Sequence, residues 1–191
     1  MNSMAAWIRY EPADIEIHLK QKGIVLQEKS LIAFAKADGK ILAVGREAEE
    51  AAGKNTEDVQ VISPLRQGGI ADYSAAAGMF RCMMAKIWGK RLLRKPDIAV
   101  CTPRGITEVE KKALEDALYQ TGAKKLAIYE GALEQFTEEV KAYDVVISIS
   151  KKEPEKYIAE GISNILRYAE QQGISAARVE ELLKEELQSG K

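Results

Sequence analysis

Apolar and polar residues alternate along the first third of the chain in short runs that are typical of strands. The alternation is clearest from Ile15 to Leu19, and apolar runs follow at 24–26 and 30–34. The segment 37–40, with Asp-Gly at its centre, predicts a hairpin turn into a strand at 41–44. This region therefore predicts half-buried strands joined by tight turns.

A charged helix and a long apolar helix are predicted next. Arg46 to Ala52 should form the charged helix, ended by Gly53, and a strand at 59–62 should follow it. After a turn at 63–69, the residues 72–88 predict the apolar helix, and its large apolar side chains recur at helical spacing. They are Met79, Phe80, Met83, Met84 and Ile87. Methionine-rich faces occur at binding surfaces as well as in cores, and we interpret this one as core.

The second half of the pattern predicts strands that alternate with a helix. Residues 96–101 are nearly all apolar and predict a buried parallel strand. Thr107 and Glu110 have the spacing of a capping box, so a helix should begin there and end at Gly122. Strands should follow at 125–129 and 145–149. Strand–helix–strand units imply right-handed crossovers and a mostly parallel sheet.

From Glu153 onward the pattern changes to two amphipathic helices, 154–172 and 175–187. Two interpretations are open. Both helices pack on the sheet, or the last helix docks on a partner protein.

Composition narrows the class of protein. The 191 residues suit one domain with a small subdomain, and a net charge of −1 argues against a general nucleic-acid binder. Cys82 and Cys101 lie in apolar contexts and are predicted to be buried free thiols. His18 is the single histidine, which excludes a multi-histidine metal site. With no apolar leader or spanning stretch, we expect a cytoplasmic protein.

Enzyme motifs are missing, but four stretches carry a family resemblance. The sequence contains no G-x-S-x-G, C-x-x-C or G-x-x-x-x-G-K-[ST]. The stretches KGIVLQE (22–28), GKILAVG (39–45), PLRQGGIADY (64–73) and TPRGITEVEK (102–111) resemble the bacterial actin-like MreB/Mbl family. That resemblance extends over about residues 8–150.

The resemblance implies an α/β fold: a single actin/ribonuclease-H-like lobe with a mixed, mostly parallel sheet flanked by helices. Residues 1–150 would form this first lobe, with a small inserted subdomain at about 24–65, and residues 151–191 would be C-terminal helices. The family binds ATP, forms filaments at the inner membrane face and takes part in cell shape. Because 41 residues are too few for the family's second lobe, the resemblance suggests a truncated and degenerate member.

The family's first phosphate loop aligns with a stretch that lacks its functional groups. Arg9 stands where the family has an aspartate, Glu11 where it has glycine, and Pro12 where it has threonine. A glycine lets backbone amides approach phosphate, so Glu11 adds bulk and a like charge. Pro12 removes an N–H donor, and Arg9 replaces a carboxylate that would hold a hydrated metal.

The second phosphate loop is altered in the same way. Ser148 replaces its aspartate, and Ser150, Lys151 and Lys152 replace its glycines. Both loops therefore predict a protein without a nucleotide cofactor, without a catalytic metal and without ATPase activity.

Two further positions follow from the resemblance. Glu130 matches an acid that orients the attacking water in the family; here we expect a relic or a capping group. Leu92 and Leu93 lie in the family's membrane-dipping loop, and four basic residues surround them: Lys90, Arg91, Arg94 and Lys95. Apolar insertion combined with basic residues suits an anionic membrane. The alternative is that the two leucines fold back and cap the core.

The sequence thus predicts a non-catalytic accessory or scaffold of the bacterial cell-shape cytoskeleton. Its expected partners are an actin-like homologue or its own copies and the inner face of the membrane, with no nucleic acid. The alternatives are a binding module of unrelated role and a nucleotide-binding protein with an altered site.

Overall fold

The computed structural model describes residues 12–54, 57–66, 68–88 and 95–151, together with residues 175 and 178. The chain divides into two compact units, Met1–Lys151 and Lys152–Lys191. The following description concerns the first unit. The predicted C-terminal helices lie almost entirely outside the described residues.

Three sheets and four helices make up the described part of this unit. The strands are β1 (Asp14–Leu19), β2 (Gly23–Lys29), β3 (Ile32–Ala35), β4 (Ile41–Val44), β5 (Val59–Ile62), β6 (Leu65–Arg66), β7 (Gly69–Ile70), β8 (Asp97–Thr102), β9 (Lys125–Glu130) and β10 (Val145–Ser150). The helices are α1 (Arg46–Lys54), α2 (Tyr73–Trp88), α3 (Glu108–Tyr119) and α4 (Thr137–Val140), and a 3₁₀ turn at Leu133–Gln135 precedes α4.

The central sheet has five strands in the order β2-β1-β10-β8-β9. β8, β9 and β10 are mutually parallel, whereas β1 is antiparallel to both β10 and β2. Four of the five strands therefore point in one direction. The prediction of an α/β fold with a mixed, mostly parallel sheet is confirmed.

The alternation in β1 explains its position within the sheet. Ile15 and Ile17 are fully buried, and their partners across the ladder in β10 are Ile149 and Ile147. These four side chains lie on the face that α2 and α3 cover, and all belong to the main hydrophobic core. Burying an aliphatic side chain of this size contributes about 1.5–3 kcal/mol. Burial of these four isoleucines therefore stabilises the pairing of β1 with β10.

The methionine-rich face of α2 is part of this core, as predicted. Met79, Phe80 and Met83 are fully buried, and Met84 is 2% exposed. A Cβ added at Gly78 would lie 2.9 Å from Ile41 Cδ1 of β4, so the small residue allows the helix to approach that strand. The helix thus packs against both the central sheet and the smaller one.

The start of α3 has the predicted capping box. Thr107 Oγ1 accepts the Glu110 N–H at 3.2 Å, and the Thr107 N–H donates to Glu110 Oε2 at 2.8 Å. The hydrogen bond from the Thr107 backbone is the main cause that lowers the pKa of Glu110. Such a cap satisfies two backbone donors that the helix leaves open.

The predicted subdomain of residues 24–65 includes a strand that belongs elsewhere. β2 pairs with β1 in the central sheet, so the separate sheet, of order β4-β3-β5, begins at Ile32. A tight turn with positive φ at Gln21 (68°) and Gly23 (71°) folds β2 back on β1. Local apolar runs do not reveal which sheet a strand joins.

One carboxylate links the central sheet, the small sheet's helix and α2. Glu28 of β2 accepts the Arg46 N–H at 2.7 Å and so caps the start of α1. Its carboxylate also lies 3.7 Å from Lys86 Nζ on α2, and its side chain is only 10% exposed. Gly45 has a φ of 69°, and a Cβ there would collide with Glu28. Glu28 therefore fixes the position of α1 against β2.

The opposite face of the central sheet carries a second, smaller core. Cys101 and Ala99 of β8 pack there beneath Val140 of α4 and Tyr143. Tyr129 contacts this cluster with its ring 5.1 Å from that of Phe136. The prediction of a buried thiol is confirmed at Cys101, whereas Cys82 is only partly buried; both are free thiols.

Within the described ranges, no helix is long and apolar enough to cross a membrane.

Candidate functional site at the carboxyl edge of the central sheet

The strand ends bring the segments of both predicted phosphate loops to one edge. Asp14 at the start of β1 pairs with Ser150 at the end of β10. On the parallel side, Thr102 at the end of β8 pairs with Glu130 at the end of β9. Carboxyl ends of parallel strands are where open α/β sheets bind their ligands. We therefore take this edge as the candidate site.

The predicted loop residues divide between described and undescribed positions. Pro12 is buried immediately before β1, Ser148 is half-buried within β10, and Ser150 and Lys151 are exposed at its end. Arg9, Glu11 and Lys152 lie outside the described residues, so their replacements of family groups stay predictions.

A phosphate loop would require the backbone to leave the strand where β10 instead continues. β10 pairs with β1 without a register shift from Val145 to Ser150. Ser148 and Ser150 are thus extended ladder residues, whose backbone groups lie in the plane of the sheet. Phosphate cradles use successive N–H groups in turn or left-handed conformations, which this segment does not form.

Glu130 is engaged in an ion pair at this edge. Its carboxylate lies 2.7 Å from Lys111 Nζ on α3. The hydrogen bond from Lys111 is the largest cause that lowers the pKa of Glu130. The same bond is the largest cause that raises the pKa of Lys111, which pairs with Glu108 as well.

This pair occupies the charge of the lysine at the edge. Gly105, in the turn after β8, has a φ of 90°, a conformation that favours glycine. Lysines bind phosphate in many proteins. Here the protein's own carboxylates, Glu130 and Glu108, pair with Lys111.

The remaining glycines of the edge are closely packed. A Cβ at Gly68 (φ 91°) would lie 2.5 Å from Pro103 Cδ, and one at Gly131 would collide with Gln135. The Gly131 N–H donates to Thr102 O at 2.8 Å, and buried Thr102 Oγ1 donates to Gly68 O at 3.2 Å. The small residues Gly68 and Gly131 thus allow close packing between segments.

No phosphate cradle is formed by the described residues of this edge. β10 is extended as far as Ser150, and Lys111 is paired with Glu130 and Glu108. In the described part of the chain, no three acidic, histidine or cysteine side chains are grouped as metal ligands. No catalytic step is therefore derived through ATP.

Of the predicted membrane residues, the structure describes Lys95 alone. It is exposed just before β8, at the opposite edge of the sheet. Lys90, Arg91, Leu92, Leu93 and Arg94 fall outside the described residues, and their membrane contact stays a prediction.

Two residues that matter at the edge, Lys111 and Gly105, were not singled out from the sequence. Lys111 is 19 positions from Glu130, so no local spacing connects them. The topology supplies the signal, because in a β8–α3–β9 crossover the first turn of the helix and the end of the next strand share one edge.

The fold and the site define an actin-like lobe, and comparison with known proteins gives the family. A family model described as MreB/Mbl protein matches residues 10–138. This chain belongs to the MreB/Mbl family.

Relatives with a named role match a limited part of their own length. The cell shape-determining protein Mbl of Bacillus subtilis is 40% identical over 118 residues, which cover 62% of this chain and 35% of the relative. The cell shape-determining protein MreB of Pasteurella multocida is 31% identical over 123 residues, with the same coverage of both chains. This chain thus spans about a third of the length of these relatives.

Solved structures agree with this assignment. MreB5 of Spiroplasma citri bound to ADP is 28% identical with a TM-score of 0.54, and it covers 62% of this chain and 35% of that one. The same protein bound to AMPPNP gives a TM-score of 0.57 at 26% identity, covering 65% and 38%. The fold prediction of an actin-like lobe is confirmed.

Proposed function

We propose that this chain is a non-catalytic MreB-like protein that acts by contact within the bacterial cell-shape cytoskeleton. Family membership and the names of its relatives support the cytoskeletal setting. The matched segment is only 35% of the length of these relatives, so their activity transfers to this chain only as part of the proposal.

The Glu130–Lys111 pair is the observation that carries the non-catalytic part. The family acid that would orient water is tied at 2.7 Å to a lysine of the same lobe. A carboxylate whose pKa is lowered by such a bond is a poor acceptor for a water proton. The β1–β10 ladder supports the same conclusion, because it keeps Ser148 and Ser150 in extended strand.

The proposed partners are an MreB/Mbl-family protein or further copies of this chain. An actin-type lobe without nucleotide chemistry retains the surfaces of its fold, and contact is the activity that such surfaces support. The proposed membrane contact is made by Leu92 and Leu93 with their basic neighbours Lys90, Arg91, Arg94 and Lys95.

Sedimentation velocity tests the contact. The chain is run alone over a range of concentrations and then with purified full-length Mbl of Bacillus subtilis. We expect either concentration-dependent self-association or co-migration with Mbl. A chain that stays monomeric and sediments independently of Mbl would contradict the proposal.

A phosphate-release assay tests the absence of catalysis. The assay contains the chain without Mbl. We expect no release of phosphate from ATP with Mg²⁺ above a no-protein blank, whether or not the chain has self-assembled. Turnover by the chain that is lost in Glu130→Gln would show a working site.

A further inference from the structure

Five lysines of the described residues pair with a carboxylate. Lys29, Lys86, Lys111, Lys112 and Lys141 each lie within 4.0 Å of an Asp or Glu oxygen. Five others are exposed, have no carboxylate partner among the described residues and flank strands of the central sheet at the amino ends of the parallel strands. They are Lys20, Lys22, Lys95, Lys124 and Lys125.

The strand register places these five lysines in one row, which we call the amino-edge row. The Lys20 N–H donates to Asp144 O at 3.0 Å, just beyond the Leu19–Val145 pair. The Asp144 N–H donates to Asp97 O at 2.9 Å, and Asp97 pairs with Lys125. The Lys124 N–H donates to Pro96 O at 2.9 Å, directly after Lys95.

The row crosses the full width of the sheet. Strands are about 4.8 Å apart, so five strands give a row about 20 Å long. This length exceeds the size of a single phosphate group. Two acids, Asp97 and Asp144, lie within it. The Asp144 carboxylate accepts the Asp97 N–H at 3.0 Å, so it is engaged with the backbone of the sheet.

Exposed aliphatic side chains lie at one end of the amino-edge row. Ile24 is 51% exposed and Val25 is 37% exposed, both on the edge strand β2 next to Lys20 and Lys22. Lysines beside exposed aliphatic residues are the composition of surfaces that lie on anionic membranes. Nucleic-acid surfaces rely instead on arginine and stacking aromatic residues, which this hairpin lacks.

We propose that the β1–β2 hairpin, residues 20–25, is a second contact with an anionic lipid surface, continuous with the amino-edge row. This inference rests on the proposed membrane contact of residues 90–95. Lys95, the one residue of that segment within the described ranges, precedes β8 at the same edge as the hairpin.

Vesicle co-sedimentation tests the hairpin. The full chain is titrated with vesicles of phosphatidylcholine and phosphatidylglycerol (7:3) and with pure phosphatidylcholine. We expect binding to the anionic vesicles only, weakened by added salt. A basic residue near an anionic surface changes partitioning about five-fold, so Lys20→Gln/Lys22→Gln should weaken binding about 30-fold. Ile24→Ser/Val25→Ser should also weaken it.

A matched control comes from another hairpin of the same unit. Lys36 and Lys40 are exposed at the β3–β4 turn. This turn belongs to the separate three-stranded sheet, which the chain enters from the carboxyl-edge end of β2. Lys36→Gln/Lys40→Gln should bind within about two-fold of wild type, since charge near the surface decides the effect. Circular dichroism confirms that each variant is folded.

The outcomes separate the inference from the proposal beneath it. If Leu92→Asp/Leu93→Asp abolishes binding while Lys20→Gln/Lys22→Gln and Ile24→Ser/Val25→Ser bind like wild type, the hairpin inference is overturned and the loop contact stands. If wild type does not bind the anionic vesicles, both are overturned. Binding to single-stranded DNA without binding to vesicles would assign the row to nucleic acid instead.

Discussion

Removing the Glu28 side chain should loosen the small three-stranded sheet from the central one. Glu28 caps α1 through the Arg46 N–H at 2.7 Å, and its carboxylate faces Lys86 at 3.7 Å and Arg46 Nε at 3.9 Å. In Glu28→Ala all three interactions are lost at a position that is 10% exposed.

The expected loss can be summed from these contacts. A hydrogen bond to a charged group contributes about 1.5–3 kcal/mol, and it is the dominant contribution here. The two ion pairs add at most about 0.5 kcal/mol each, since Arg46 is 72% exposed. Glu28→Ala should therefore lower the free energy of unfolding by about 1.5–4 kcal/mol. Glu28→Gln keeps an acceptor for the Arg46 N–H and should cost about 1 kcal/mol.

Urea denaturation followed by circular dichroism measures both values. The matched control is Glu47→Ala, which removes an exposed partner of the same Lys86 at 3.2 Å and should cost about 0.5 kcal/mol. If Glu28→Ala costs no more than Glu47→Ala, the carboxylate does not fix α1 and the reasoning fails.

Two further predictions concern titrating groups. In Lys111→Ala, the pKa of Glu130 should rise towards its ordinary 4.5, because Lys111 is the main cause of the lowering. Carbon-13 NMR titration measures this pKa. An unchanged value would contradict the Glu130–Lys111 ion pair. Lys112→Ala, one residue along, should leave it unchanged. Since the pKa of Glu130 is lowered, the pair's stabilisation is present above pH 4.5 and disappears as pH falls through the folded pKa. Burial raises the pKa of the Cys101 thiol to about 11, so at pH 8 a disulfide reagent should modify Cys82 first and Cys101 only on unfolding; equal rates would refute this.

Local chemistry allowed several elements to be predicted from the sequence. The capping box of Thr107 and Glu110, the buried face of α2 and the apolar strand β8 all depend on neighbouring residues and were confirmed. The motifs also identified the family, and with it the actin-like fold.

Non-local pairing could not be predicted in the same way. That β10 inserts between β1 and β8, antiparallel to one and parallel to the other, depends on contacts across more than 120 positions. The short 3₁₀ turn and α4 were missed because their few residues show no helical period. The placement of β2 in the central sheet followed from a turn at Gln21 and Gly23, which the apolar pattern did not signal.

The candidate site was predicted in part. The sequence indicated which family groups are replaced, and it suggested a capping group at Glu130. It did not reveal that Lys111 binds this carboxylate, nor that the lysines of the amino-edge row have no carboxylate partner among the described residues. Both facts depend on which strand ends share an edge.

Isothermal titration of the full chain with ATP in the presence of Mg²⁺ tests the central claim most directly. Glu130 already pairs with Lys111, and β10 is extended as far as Ser150. We predict no measurable heat of binding at nucleotide concentrations up to the millimolar range. Saturable binding with a micromolar Kd would contradict the account.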